Sequence, residues 1–149
     1  MEYHMVDKES FHVIGRLGSI QNNIWGQCKA EEGFFERLGN ISLGPSLGLC
    51  FGDDENGVNK YMVGVEADCD SLEGMDSFTY PKSAWLVFEA RGPINPTLGN
   101  TWRQIYEDAL PNCSEYRQAQ LPTMEVYCST EDMMSENYMV EIWIPVDKV

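Results

Sequence analysis

The feature of this sequence that most restricts its fold is an internal repeat of one strand, one helix and two further strands. Phe11–Gly18 and Trp85–Gly92 are both apolar strand patterns that end in glycine, and they align position by position. Tyr61–Val63 recurs as Tyr138–Val140 in the second copy. Segments that repeat in this way typically form copies of one supersecondary unit. The sequence therefore predicts two β-α-β-β repeats.

The helix of each repeat is predicted from apolar residues spaced three and four positions apart. This spacing covers Ile24–Leu38 in the first repeat and Leu98–Leu110 in the second. We expect an α+β fold in which helices pack on antiparallel sheet and the repeats are related by pseudo-twofold symmetry. Such a chain forms a single domain, 1–149, with internal repeats at approximately 3–67 and 77–149. A ligand groove is expected between the halves, where pockets usually form.

Composition excludes several classes of function. The chain has 24 Asp and Glu against 10 Lys and Arg, and its formal charge of −14 argues against direct nucleic-acid binding because it repels phosphate groups. No segment approaches the ~18 consecutive apolar residues of a membrane span. The first ten residues lack the apolar centre of a signal peptide. We expect a cytoplasmic protein without a membrane partner.

The cysteines and histidines indicate neither a disulfide framework nor a metal site. The five cysteines have no CxxC spacing and fall mostly in apolar patterns, as reduced core residues do. His4 and His12 are too few for a histidine-based metal site or catalytic triad. The acidic runs Asp53–Glu55 and Glu131–Asp132 are interpreted as solvated turns rather than cation-binding loops. The sequence therefore predicts no metal and no cofactor.

Two strand patterns near the end of the chain carry acidic and aromatic residues at alternate positions. Glu125 and Tyr127 alternate with apolar residues in the first pattern, and Glu141 and Trp143 do so in the second. If Val126 faces the helix layer, antiparallel pairing places all four on the other face. Neither an ordinary core nor an ordinary solvent face has this composition. The pattern predicts a pocket for a cationic or lipophilic molecule.

The order of these segments resembles that of the gyrase-inhibitor-like (GyrI-like) domain, which is the effector-binding domain of AraC-type and MerR-type bacterial transcription regulators. The resemblance covers nearly the whole chain. It is carried by Ile24–Trp25, Tyr61–Val65, Trp85–Pro93, Thr101–Trp102, Met124–Tyr127 and Val140–Val146.

The resemblance implies tandem β-α-β-β units with a groove that binds lipophilic cations or other drug-like molecules. The family's acid in the penultimate strand corresponds to Glu125, and its acid in the last strand corresponds to Glu141. The acidic stretch Ser129–Asn137 departs from the family pattern. The expected ligand-binding residues, including aromatic neighbours from the strand and helix patterns, are Trp25, Trp102, Tyr106, Glu125, Tyr127, Glu141 and Trp143.

Three functions stay open at this point. The first is a stand-alone small-molecule binding protein, which we expect because the sequence opens directly on the first strand without a DNA-binding segment. The second is a hydrolase of cyclopropane-bearing toxins, an activity that the resemblance implies because it occurs in some members of the family. In that case Glu125 is the general acid or base and Tyr127 donates to the leaving oxygen. The third is an acidic protein-interaction module, such as a gyrase modulator, which docks on a basic protein. Core packing is the alternative role for Trp25 and Trp102, because both lie on apolar helical stripes.

Overall fold

The computed structural model describes residues 1–149 and divides them into two compact units. Unit 1 is formed by Met1–Lys8 and Ser83–Val149, and unit 2 is formed by Glu9–Lys82. The strands are β1 (His4–Lys8), β2 (Phe11–Ser19), β3 (Ser46–Asp53), β4 (Asn59–Ala67), β5 (Asp76–Tyr80), β6 (Ser83–Arg91), β7 (Tyr116–Gln118), β8 (Thr123–Tyr127) and β9 (Met139–Lys148). The helices are α1 (Ile24–Ala30), α2 (Phe34–Gly39) and α3 (Ile94–Gln104), and α3 continues into a π-helical turn (Ile105–Ala109). None of them has the length and apolar character that crossing a bilayer requires.

Unit 2 is an antiparallel sheet in the order β5-β2-β4-β3, covered by α1 and α2. The core beneath the helices contains Ile14, Ile24, Cys28, Phe34, Leu38, Tyr61, Val63, Val65 and Ala67. Strands β2 and β4 approach closely where Gly15 lies opposite Gly64. A Cβ atom on Gly15 would stand 1.9 Å from the Val63 carbonyl oxygen, so only glycine fits at this position.

The predicted helix Ile24–Leu38 is divided into two, so the prediction of one continuous helix is wrong. Glu31 at the end of α1 has an extended backbone, and Gly33 before α2 has the left-handed conformation (φ 77°). Glycine adopts this conformation without steric cost, which allows the chain to turn there. The apolar stripe survives the break because both short helices place their apolar residues in the core.

Unit 1 is an antiparallel sheet in the order β1-β6-β9-β8, and β7 also pairs with β9. Helix α3 covers one face, over Leu86, Phe88, Ala90, Ile105, Tyr138, Val140, Ile142, Ile144 and Val146. The backbone of Asn95 departs from helical geometry, so regular helix begins close to the predicted start at Leu98. The Leu110 amide donates to the Ile105 carbonyl at 2.9 Å, which is the i to i+5 bond of the π-helical turn.

Both units follow the same chain order of strand, helix, strand and strand. In each repeat, the third strand lies between the other two. Strand β4 lies between β2 and β3, and β9 lies between β6 and β8. Ile14 and Phe88, which align in the sequence, both lie in the core on the helix side. The predicted α+β fold with two β-α-β-β repeats is confirmed. Strand β1 pairs within unit 1 and β5 within unit 2, whereas the grouping of both units in a single domain stays a prediction.

Candidate functional site

The centre of the candidate site is the carboxylate of Glu125 on β8. This side chain is buried, with 9% of the residue exposed. The Trp102 indole Nε1 donates to its Oε2 at 2.8 Å, and the Tyr127 hydroxyl donates to its Oε1 at 2.8 Å. A buried carboxylate is costly unless its oxygens accept hydrogen bonds, and these two bonds supply part of that stabilisation.

Glu125 faces the helix layer, which corrects the predicted orientation. It lies directly opposite Ile142, which is fully buried beneath α3, whereas Val126 lies opposite Glu141. Directly opposed residues of an antiparallel pair point to the same face, and successive residues point to opposite faces. Glu125 and Glu141 therefore lie on opposite faces of the unit 1 sheet, and the predicted common surface does not form.

The helix supplies two aromatic rings beside Glu125. Trp102 is the indole donor, and Tyr106 in the π-helical turn stacks on Trp102 with a centroid distance of 6.0 Å and an interplanar angle of 8°. The Tyr106 hydroxyl accepts a hydrogen bond from Gln118 Nε2 at 3.1 Å, and 45% of this residue is exposed. Side chains one helical turn apart lie on the same face, which explains the stack.

We call Trp102, Tyr106, Glu125 and Tyr127 the acid–aromatic cluster. All four were predicted ligand-binding residues, and unit 1 brings them together. The Trp102 indole and the Tyr127 hydroxyl are neutral donors, so neither of them cancels the negative charge of the Glu125 carboxylate. Gln118 was missed by the sequence reasoning, because a single exposed polar residue on a three-residue strand gives no recognisable signal.

Glu141 and Trp143 form a separate pair on the other face of the sheet. The Trp143 indole Nε1 donates to Glu141 Oε1 at 3.1 Å, and its ring meets that of Trp85 edge-on at 5.6 Å. Glu89 lies directly opposite Glu141 and forms an ion pair with Arg91 at 3.1 Å.

The carboxylates of Glu141 and Glu89 affect the pKa of the nearby Cys128 thiol. Burial raises the pKa of this thiol, and the negative charges of Glu141 and Glu89 raise the pKa further. A raised pKa keeps the thiol protonated at neutral pH, and the protonated form is a poor nucleophile.

Trp25 belongs to unit 2, on α1. Its indole Nε1 donates to the Tyr61 hydroxyl at 3.3 Å, and the two rings lie 6.3 Å apart. Trp25 is half-buried and packs against the core of that unit. Tyr61 is a further aromatic residue at this place, and its recurrence as Tyr138 in the second repeat was the signal that could have identified it.

Two cavities lie apart from the predicted residues. One of about 550 Å³ in unit 1 is lined by Met1, Glu2, Tyr3, His4, Val87, Glu89, Arg91 and Gln104. One of about 360 Å³ in unit 2 is lined by Leu17, Gly18, Ser19, Asn22, Gln27, Asp54, Val58 and Lys60. No group of three or more His, Cys, Asp or Glu side chains is arranged to hold a metal ion.

The family follows from a comparison with known domains. The family model of the GyrI-like small molecule binding domain matches residues 1–147. The chain belongs to the GyrI-like family. No curated protein sequence matches this GyrI-like chain.

Solved structures of similar fold agree with this assignment. The structure of SAV2435 bound to tetraphenylphosphonium is 26% identical, with a TM-score of 0.83, and the match covers 99% of this chain and 94% of that one. A putative bacterial transcription regulation protein from Staphylococcus aureus MU50 is 26% identical, with a TM-score of 0.80 and 99% of both chains covered. The GyrI-like chain also shares its fold with EcmrR in a DNA complex, at 15% identity and a TM-score of 0.70, over 99% of this chain and 58% of EcmrR.

Proposed function

We propose that this GyrI-like domain binds lipophilic organic cations at the acid–aromatic cluster. The observation that carries the proposal is the buried Glu125 carboxylate, held at 2.8 Å by two donors that are both neutral and both part of aromatic side chains. A cation that reaches this carboxylate compensates its charge in surroundings that water screens poorly. The cluster is therefore suited to a positively charged ligand with apolar surface.

The rings contribute to the same preference. An organic cation over a Trp or Tyr face gains about 0.5–2 kcal/mol per ring from cation–π attraction. The partly exposed Tyr106 ring, stacked on Trp102, extends this aromatic surface from the buried carboxylate towards solvent. Apolar substituents of the ligand would pack on these rings, which favours lipophilic cations over small hydrated ones.

A related structure supports the choice of ligand class. SAV2435, which is 26% identical to this chain, has been solved with tetraphenylphosphonium bound. Tetraphenylphosphonium is a lipophilic cation with four aromatic rings, so it is the first probe for this chain.

The test is a titration with tetraphenylphosphonium, followed by calorimetry and by tryptophan fluorescence. Glu125→Gln keeps the shape of the side chain and removes its charge, so we expect binding to weaken by about 1–3 kcal/mol, the scale of a charged hydrogen bond. Binding of a neutral aromatic of similar size, triphenylphosphine oxide, should change little.

Glu141→Gln is the matched control. Glu141 also accepts a hydrogen bond from a tryptophan indole, but it lies on the opposite face of the same sheet. We expect this variant to bind tetraphenylphosphonium as the unmodified protein does, within about 0.5 kcal/mol. Equal losses for the two variants, or equal losses for the charged and the neutral probe, would refute the proposal.

Hydrolysis is a second candidate function, favoured by the hydrogen bond between Tyr127 and Glu125. In this case Glu125 would take a proton from an attacking water, and the Tyr127 hydroxyl would donate to the oxygen on which charge develops. The test is incubation with a cyclopropane-bearing electrophile and mass spectrometry for the product of water addition. Product formation that Glu125→Gln abolishes would establish the activity, and an unchanged substrate would exclude it for that compound.

A further inference from the structure

We propose that Gln118, a residue outside the acid–aromatic cluster, is a positioning residue for that cluster. Its side chain holds the Tyr106 ring parallel to the Trp102 ring and so prepares the aromatic surface for a ligand. This inference rests on the proposed function, because it concerns the same site. Three features carry it: the direction of Gln118 on the sheet, the place of Tyr106 on the π-helical turn, and the geometry of the ring stack.

Strand β7 directs the Gln118 side chain towards the helix layer. Gln118 lies directly opposite Val146, which is buried in the core beneath α3. Directly opposed residues of an antiparallel pair point to the same face, so Gln118 and Glu125 lie on the same side of the sheet. The next residue also holds β7 on β9, since the Ala119 amide donates to the Pro145 carbonyl oxygen at 2.8 Å. The backbone that carries Gln118 is therefore fixed.

The π-helical turn leaves Tyr106 outside the core. A hydrogen bond from residue i+5 closes a wider turn than that of an α-helix, so residues five positions apart lie on the same face. Ile105 and Leu110 are such a pair, and both pack in the core of unit 1. Tyr106 is exposed, whereas Ile105 is fully buried. Core packing therefore orients Ile105 and leaves the Tyr106 ring to be oriented by its side-chain contacts.

The stack of Trp102 and Tyr106 is more regular than helix spacing alone requires. Residues four positions apart on a helix are neighbours, but spacing does not set the planes of their rings. An exposed side chain that nothing restrains exchanges rotamers within nanoseconds. The two rings are nevertheless parallel to within 8°. Their polar ends must therefore be restrained.

Each ring of the stack is bonded at its polar end to the same side of the sheet. The Trp102 indole donates to Glu125 at 2.8 Å, and Gln118 Nε2 donates to the Tyr106 hydroxyl oxygen at 3.1 Å. A side chain that is ordered before binding loses less conformational entropy when the ligand arrives. Gln118 therefore raises the affinity for an aromatic cation through Tyr106.

The experiment is a calorimetric titration of the full chain with tetraphenylphosphonium. Gln118→Met keeps a side chain of similar length and removes the amide, so we expect the affinity to fall about two- to tenfold, the scale of ordering one side chain on binding. Tyr106→Phe removes the hydroxyl at the other end of the same bond and should cause a similar loss. Gln118 is exposed, so its replacement should leave the fold intact, and Tyr106→Phe tests the bond from the helix if it does not.

A double-mutant cycle shows whether Gln118 acts through Tyr106. In the Tyr106→Phe background the bond is already absent, so Gln118→Met should cause no further loss of affinity. Tyr116→Phe is the matched control, since it removes a hydrogen bond that another β7 side chain makes, to Met5. We expect this control to bind tetraphenylphosphonium as the unmodified protein does.

A second readout detects the position of the ring without ligand. In protein with isotope-labelled tyrosine, the ring current of the Trp102 indole displaces the Tyr106 resonances, and their absence from the Tyr106→Phe spectrum assigns them. We expect Gln118→Met to move these resonances towards those of free tyrosine, while the other tyrosine resonances stay in place. A merely structural role of Gln118 would not move the Tyr106 resonances selectively.

The outcomes separate the two proposals. An unchanged affinity in Gln118→Met, unchanged Tyr106 resonances, or an equal loss in both backgrounds of the cycle would overturn the positioning role and leave cation binding intact. Failure of tetraphenylphosphonium to bind the unmodified protein would overturn the proposed function and the positioning role with it. A loss that occurs in Gln118→Met, disappears in the Tyr106→Phe background and is absent from Tyr116→Phe supports the inference.

Discussion

Glu125 and Glu141 lie on opposite faces of one sheet, although they belong to neighbouring strands and both accept a hydrogen bond from a tryptophan indole. The residue directly opposite Glu141 is Val126, and the residue directly opposite Glu125 is Ile142. The two acids therefore act in different surroundings. Glu125 lies beneath α3 among the rings of the acid–aromatic cluster, whereas Glu141 lies beside Trp143, Glu89 and the Cys128 thiol.

The first prediction concerns the stability of the cluster. Tyr127→Phe removes one of the donors to a buried carboxylate, so we expect the free energy of unfolding to fall by about 1–3 kcal/mol, the scale of a hydrogen bond to a charged group. Urea denaturation followed by tryptophan fluorescence measures this change. Tyr116→Phe should cost less, since the thioether sulfur of Met5 that contacts the Tyr116 hydroxyl is a weak acceptor. A smaller loss for Tyr127→Phe than for Tyr116→Phe would contradict the prediction.

The second prediction concerns thiol reactivity. Burial, followed by the charges of Glu141 and Glu89, raises the pKa of the Cys128 thiol, so its thiolate fraction at pH 8 is below that of an ordinary cysteine. We expect slow alkylation by iodoacetamide although part of the Cys128 side chain is accessible to solvent, with a rate that rises as the pH is raised past the usual titration range of cysteine. Mass spectrometry of the modified peptide gives the rate. Glu141→Gln removes one source of the raised pKa and should accelerate alkylation at pH 8, and an unchanged rate would count against this account.

The third prediction concerns the close contact of β2 and β4. Gly15→Ala places a methyl group 1.9 Å from a backbone oxygen, and backbone cannot move aside as a flexible side chain can. We expect a loss of about 1–3 kcal/mol or more in the free energy of unfolding. The control is Gly39→Ala at the end of α2, where an added Cβ meets nothing within 4 Å. Alanine should be neutral or slightly stabilising there, and equal effects at the two positions would refute the steric explanation.

The fourth prediction is that all five cysteines are free thiols. They lack ligand or disulfide spacing, and Cys28 is buried in the core of unit 2. Titration with a thiol reagent under denaturing, non-reducing conditions should count five groups per chain. A count of three would indicate a disulfide.

The repeat was predictable because the apolar face of the helix in each unit packs on the apolar face of the sheet, and both faces leave a periodic pattern in the sequence. Ile14 and Phe88 occupy equivalent positions in strands that precede a helix. Both lie in a core on the helix side of their sheet. The division of the first helix at Glu31–Gly33 was less visible, since an apolar stripe continues across it. Gly33 inside a helical pattern was the local signal for that break.

The orientation of Glu125 was not predictable from alternation alone. In β8, Met124, Glu125 and Val126 are all buried, so the strand has no exposed face that would show which side meets the helix. Alternation then shows which residues of the strand share a face, but not which of the two faces meets the helix. The hydrogen bond from Trp102 decides it, and that contact joins residues 23 positions apart in the sequence.

The pairing of β1 with β6 has a consequence for the order in which the protein is made. Strand β1 leaves the ribosome before unit 2, but its partner β6 follows only after the whole of unit 2 has been synthesised. At about 5–20 residues per second this delay lasts on the order of seconds. Unit 2 is continuous in the chain and can fold as soon as Lys82 has emerged, whereas unit 1 must wait until β9 has been synthesised. Folding is therefore expected to start with unit 2 and to end when β1 and β9 pair with β6.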